Sequence, residues 1–157
     1  MAEFRITTLK DMNNQKTNQA HILLVENNEW DVLLTLEAFE ECKVKTKTSV
    51  VKNGQEALYF LFHIGDYTNA KKPALILLDI NILIFSGHEV LERIKSDSNL
   101  KKIPVIMLTT YSSQKNVDKA YENHCNSYVK KPIEITEFLI TTLKIEEFWL
   151  ELTTLPT

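Results

Sequence analysis

The sequence predicts an α/β sandwich, a five-stranded parallel sheet covered on both faces by five helices. Three observations carry that prediction. Short apolar or β-branched runs recur five times from His21 onward, and continuous apolar runs are what strands buried on both faces require. Each run is followed by a stretch with apolar residues at helical spacing. Strict alternation of strand and helix then demands right-handed crossovers, which join parallel neighbours in one sheet.

In order along the chain, residues 1–20 end in the polar tract Asn13 to Gln19, without periodicity, and are expected to form a flexible N-terminal arm. His21-Ile22-Leu23-Leu24-Val25 is the first strand and stops abruptly at Glu26-Asn27-Asn28-Glu29. A helix follows, with Trp30, Leu33, Leu34 and Phe39 available for its buried face. Thr46 to Val51 is the second strand and Gly54 to Ile64 the second helix. Ala74 to Leu78 and His88 to Lys95 are the third pair; Ile103 to Leu108 and about Gln114 to Asn123 are the fourth. Ser127-Tyr128-Val129 closes the series before a long helix from about Glu134.

Composition narrows the function classes. Lys and Arg number 18 against 21 Asp and Glu, a net charge of −3, and no basic run hides inside the average. A dedicated nucleic-acid binder would be basic, so no nucleic-acid partner is expected. No apolar stretch approaches the roughly 20 residues that span a bilayer, and no signal peptide opens the chain, so no membrane association is expected. The two cysteines, Cys42 and Cys125, sit in no CxxC spacing. That pattern implies neither a disulfide framework nor a zinc site, and a reduced, cytoplasmic protein is the simplest reading. The four histidines form no metal-ligand spacing.

On such a sheet ligands bind outside the carboxyl ends of the strands. Those ends carry Glu26 and Asn27 (first strand), Asp79 (third), Thr109 and Thr110 (fourth), and Lys130-Lys131-Pro132 (fifth). Acid, amide, acid, hydroxyl and ammonium groups therefore converge on one rim.

These residues also carry a family resemblance. Leu77-Leu78-Asp79 with Gly87 downstream, Leu108-Thr109-Thr110, and Ser127-Tyr128-Val129-Lys130-Lys131-Pro132 resemble, in that order, the receiver domain of two-component response regulators over about residues 20–145. The resemblance implies a flavodoxin-like three-layer fold with strand order 2-1-3-4-5, a receiver domain over 21–152 with an extended last helix, and a C-terminal end at 153–157. It implies that Asp79 accepts a phosphoryl group from a histidine kinase, with Mg²⁺ held by Glu26, Asn27, Asp79 and the Asn81 main-chain carbonyl. Lys131 would pair with a phosphoryl oxygen, the Thr109 hydroxyl would bond another and move inward, and Tyr128 would follow it. It further implies a cis Lys131–Pro132 peptide, and a signalling protein that is not itself an enzyme.

Two departures qualify the expectation. Receivers end the first strand in two acids, whereas here Asn27 replaces the acid that usually touches the metal. An amide keeps an oxygen ligand but loses a charge, so Mg²⁺ binding should be weakened. A phosphorylation-independent pseudo-receiver, acting as a binding or dimerisation module, is therefore the alternative. The loop Ile80 to Ser86 is unusually apolar, with Leu83 where the family has proline. Leu83 and Phe85 could fold back onto the third helix, or the loop could be a docking patch. The carboxylate, Thr and Lys set is also similar to haloacid-dehalogenase-type phosphatases, but those need an acid two residues after the nucleophile, where Asn81 stands.

The final helix holds a stripe of Ile135, Phe138 and Leu139 expected to face the sheet. A second stripe of Ile145, Phe148, Trp149 and Leu152 is rotated from the first by roughly a quarter turn. The second stripe either curls back over its own domain or pairs with another copy. The Phe148-Trp149-Leu150 ending with Leu155-Pro156 resembles single-domain response regulators partnered with cyanobacterial-type bacterial phytochromes, which implies a homodimer through this end. No output module is expected, so output would run through protein contacts, with a histidine kinase, a phytochrome among the candidates, as upstream partner.

Overall fold

The computed structural model describes residues 19–110 and 112–156. All of the 1–20 arm except Gln19 and Ala20 lies outside the described residues. The strands are β1 (Ala20–Val25), β2 (Thr46–Val51), β3 (Leu75–Leu78), β4 (Val105–Thr109) and β5 (Ser127–Lys130). The helices are α1 (Glu29–Glu40), α2 (Gly54–Leu61), α3 (Gly87–Ser96), α4 (Gln114–Glu122) and α5 (Ile135–Glu146). The five strands form one parallel sheet in the order β2-β1-β3-β4-β5, as predicted. β1 starts at Ala20, so the folded unit reaches one residue into the segment expected to be an arm.

The apolar runs make sense once the sheet is seen in section. Side chains alternate across a strand, so each run is shared between two cores. Leu23, Val25, Ile76, Leu78, Val105 and Met107 pack on the face covered by α2, α3 and α4, with Ala57, Leu61, Leu91, Ile94 and Ala120. Ile22, Leu24, Leu75, Leu77, Ile106 and Leu108 pack on the opposite face with Phe39 of α1 and Ile145 of α5. Burying both faces of β1, β3 and β4 leaves their polar groups mainly at the strand ends, and this concentrates the chemistry there.

Each helix start is closed by a side chain. Asn28, Asn53, Ser86, Ser113 and Glu134 accept from the first-turn amides of α1 to α5. Ser86 and Glu89 form a full capping box. Gly87 presses α3 against the end of β3, where a Cβ would lie 2.3 Å from the Asp79 carbonyl oxygen. No larger residue fits without moving the Asp79 backbone.

The helix faces differ from expectation in two places. Trp30 is 75% exposed and Leu33 57%; α1 buries Phe39 as expected, but beside it Thr35 and Ala38. The small residues let α1 approach closely, with the Thr35 hydroxyl donating to the Asp31 carbonyl at 2.7 Å. Ile135 is likewise exposed, while Phe138 is buried as expected.

The second stripe of the last helix is split. α5 passes into a π-helical segment, Glu147–Leu152, and the Thr153 amide donates to the Phe148 carbonyl five residues back at 2.9 Å. The wider turn changes the phase of the side chains. Ile145 is buried and Trp149 is half-buried against the α1/α5 core, whereas Phe148 and Leu152 face outward. The four residues therefore do not form one face. The Lys131–Pro132 peptide corrects a further expectation: no cis bond occurs among the described residues, so this peptide is trans. Proline makes both isomers accessible at low cost, so the dipeptide alone does not select one.

Candidate functional site

The site is assembled by register. The Asp79 amide donates to the Val25 carbonyl at 3.1 Å, which places Asp79 beside Glu26. The Lys131 amide donates to the Thr109 carbonyl at 2.8 Å, which holds the end of β5 against the end of β4. Glu26, Asp79, Thr109 and Lys131 are all buried, although each is polar or charged.

Lys131 is the centre of the arrangement. Its Nζ donates to Asp79 Oδ2 at 2.9 Å, to Asp31 Oδ2 at 2.8 Å, and to Glu26 Oε2. The second oxygens of the two deeply buried carboxylates are also used: Glu26 Oε1 accepts from the Asn28 amide at 3.0 Å and Asp79 Oδ1 from the Asn81 amide at 3.0 Å. Glu26 and Asp79 thus each keep one oxygen fixed by backbone and one turned to the ammonium. Burial alone would lower Lys131, but the Asp79 and Glu26 charges outweigh it and hold the ammonium above its ordinary range. Burial, assisted by Asp79 and opposed by Lys131, pushes Glu26 up to about 7.

Of the residues singled out from sequence, the fold brings Glu26, Asp79 and Lys131 into direct contact. Thr109 lies fully buried on the neighbouring strand end. Tyr128 is half-buried against the α2–α4 core, and its phenol is raised, first by burial and then by the Asp79 charge. Asn27 and Asn81 are exposed on the rim. Asp31 was not among the candidates. It lies one helical turn past Asn27, and its acid at the start of an amphipathic stretch reads as ordinary helix-terminus chemistry. The fold alone reveals its contact with Lys131.

The phosphoacceptor-side loop divides in two. Phe85 folds back as one reading expected, against the core and under the Arg93 guanidinium, 4.7 Å from its ring centre. Leu83 and Ile84 point outward. Ile84 adopts φ 71°, a left-handed conformation unusual for a β-branched residue. Exposed Trp30 and Leu33 of α1, and Ile133 after β5, flank the same end of the sheet.

The donor chemistry suits a small hard cation, because Glu26, Asp79 and Asp31 all offer carboxylate oxygens, although among the described residues no three acids are gathered on one metal point. No helix among the described residues is long and apolar enough to cross a membrane. Both cysteines are free thiols, with Cys42 pushed up to about 12, by burial first and then by Glu146.

A doubly covered parallel sheet with buried Asp, Thr and Lys at adjacent strand ends defines a receiver. The chain belongs to the response regulator receiver domain family, whose model matches residues 22–143. Among its relatives, response regulator Rcp1 of Synechocystis sp. is 37% identical over 145 residues, 92% of this chain and 99% of the relative. The probable methanogenesis regulatory protein FilR2 of Methanothrix harundinacea is 38% identical over 130 residues, 82% of this chain and 83% of the relative. Among solved structures, the phosphorylated cyanobacterial phytochrome response regulator RcpA matches with a TM-score of 0.86 at 40% identity, covering 88% of this chain and 99% of that one. The Mn²⁺-bound form of Rcp1 matches with the same TM-score and coverage at 38% identity. The chain is thus a signalling receiver related to phytochrome response regulators.

Proposed function

We propose that this receiver takes a phosphoryl group from a histidine kinase on Asp79, with Mg²⁺, and signals through protein contacts. The observation that carries this reading is the buried Asp79 carboxylate, fixed on one oxygen by the Asn81 amide and on the other by Lys131. A carboxylate oxygen of Asp79 attacks phosphorus, the bond from phosphorus to the kinase imidazole nitrogen breaks, and its electron pair leaves with the imidazole. Mg²⁺ supplies charge neutralisation for the phosphoryl and carboxylate oxygens. Glu26, Asp79, Asn27 and the Asn81 carbonyl would hold it. Lys131 exchanges a carboxylate for a phosphoryl oxygen, as a mobile point charge can. The Thr109 hydroxyl donates to another phosphoryl oxygen, and Tyr128, on the adjoining strand, follows its inward movement.

The relatives support this reading, since one solved relative is phosphorylated and another binds Mn²⁺. The kinship with phytochrome regulators points to a phytochrome-type kinase, and the receiver would meet it in the cytoplasm. Trp30, Leu33 and Ile133 offer an apolar rim for a kinase helix. Outward-facing Phe148 and Leu152 are the apolar contacts through which a homodimer would form, with Ile145 and Trp149 supporting them from beneath. Only Asn27 favours a phosphorylation-independent binding module.

The test is acid-labile labelling by acetyl phosphate and by phosphorylated candidate kinases, with and without Mg²⁺. Wild type should label only with Mg²⁺, and Asp79→Asn should not label. Equal labelling of the two chains, or no labelling of wild type by any donor, overturns the proposal.

A further inference from the structure

Asn27 leaves the cation pocket one acid short, but a third acid reaches the same place from another position. Asp31 is the third residue of α1, and its backbone amide is capped by Asn28 Oδ1 at 3.1 Å. In a reciprocal capping arrangement an acid at this position would bond back to the amide of the capping residue. Here the Asn28 amide already donates to Glu26 Oε1. The Asp31 carboxylate is thereby released from capping and turns inward to Lys131 Nζ.

Its position suits a cation. Asp31 Oδ2 and Asp79 Oδ2 bond the same nitrogen at 2.8 and 2.9 Å, so they lie within two hydrogen-bond lengths of each other. Two oxygens across a Mg²⁺ ion stand about 4.2 Å apart, within reach of a side-chain rotation. The Asp31 side chain is 22% exposed, against 4% for Glu26 and 7% for Asp79, so it stands at the mouth through which a hydrated ion would enter. As they stand, the three carboxylates surround an ammonium and are not gathered on one metal point. Lys131 must therefore withdraw as the cation arrives.

We propose that Asp31 replaces the missing acid at position 27, acting as the third carboxylate of the divalent-cation pocket beside Glu26 and Asp79. The inference rests on the phosphoacceptor reading and adds to it the residue that restores the charge lost at Asn27. It also makes Lys131 and the cation competitors for the same carboxylates before phosphorylation.

The experiment is calorimetric titration of Mg²⁺, and of Mn²⁺ followed by electron paramagnetic resonance, into wild type, Asp31→Asn, Asn27→Asp and the double variant. Melting in cation-free buffer checks that each is folded, and Asp31→Glu serves as the conservative variant. Asp31→Asn should weaken binding about 10-fold or more in the wild-type background and about 3-fold or less once Asn27→Asp supplies an acid. Asp31→Glu should recover part of the loss. An affinity unchanged within about twofold, or an equal loss in both backgrounds, overturns the inference while leaving the phosphoacceptor reading intact. Binding by Asn27→Asp but not by wild type also overturns it. If neither chain binds either ion, the Mg²⁺ part of the functional reading fails as well.

Discussion

Lys131 and Asp31 lie 100 residues apart in the chain, yet Nζ of one donates to Oδ2 of the other at 2.8 Å. The same ammonium serves Asp79 and Glu26, so three carboxylates depend on one cation. Removing one partner from a buried ionic cluster costs about 3–5 kcal/mol, because the others are left uncompensated. Lys131→Met should lose stability on about that scale in urea unfolding without metal. Added Mg²⁺ should restore part of it, since a bound divalent ion replaces the missing charge and stabilises by mass action. Equal midpoints for Lys131→Met and wild type would show that the cluster contributes nothing to folding.

His88 should make the fold sensitive to mild acid. It is buried on α3, and burial followed by the Lys119 charge holds it below 6.5, with the Asn116 side chain opposing. The unfolded chain takes up a proton below about 6.5 where the folded chain does not. Stability is therefore present above that pH and is lost as pH falls through 6.5 toward the folded value. The slope per group is at most about 1.4 kcal/mol per pH unit. In urea unfolding between pH 8 and 5, His88→Leu should flatten this slope, leaving the shares of His21, which burial also lowers, and of Glu26 and Glu146, which are raised and act with the opposite sign. An unchanged slope rules His88 out.

Glu146 should act with the opposite sign. Its carboxyl is buried beside Cys42 with Oε1 unpartnered, and burial, joined by Glu151 and Glu147 and opposed by Cys42, raises it. The folded state therefore holds the proton longer than the unfolded state does. That stability is complete below 4.5 and is lost as pH rises through the raised folded value. Glu146→Gln should raise the melting temperature at pH 8, by about 2–4 °C, and leave it unchanged at pH 4. A variant that melts below wild type at pH 8 refutes this account.

Ile84 holds a left-handed backbone at φ 71°. Such a conformation costs about 1–2 kcal/mol for a residue with a Cβ, whereas glycine adopts it freely. Glycine also loses more entropy on folding, so Ile84→Gly should gain only about 0.5–1 kcal/mol in denaturant unfolding. Destabilisation would mean that the exposed Ile84 side chain contributes packing.

The tail separates dimerisation from folding. Phe148 and Leu152 face outward, whereas Trp149 packs on the α1/α5 core and edge-on to Phe148, with ring centres 5.2 Å apart. Leu152→Glu should lower the mass in light scattering toward a monomer with melting little changed. Trp149→Ala should unfold more easily, by about 2 kcal/mol or more. A Leu152→Glu chain of unchanged mass, or a wild type that is monomeric at high concentration, excludes this surface as the dimer contact.

Much of this molecule was determined by the sequence alone. Runs such as Ile22 to Val25 and Leu75 to Leu78 are apolar at every position, and only a strand covered on both faces needs that. The strand count, the parallel sheet and the convergence of Glu26, Asp79, Thr109 and Lys131 follow from local pattern, because each sits where an apolar run stops. Tertiary structure alone decided what depends on contact between distant segments. Asp31 joins Lys131 because a neighbouring amide is already bonded to Glu26. α1 turns Thr35 and Ala38 inward in place of Trp30 because close approach favours small side chains. The last helix widens by a residue and divides Phe148 and Leu152 from Ile145 and Trp149, a change of phase that no helical spacing rule contains. Periodicity records which side of its own element a residue occupies, while the partner across the site is set by packing.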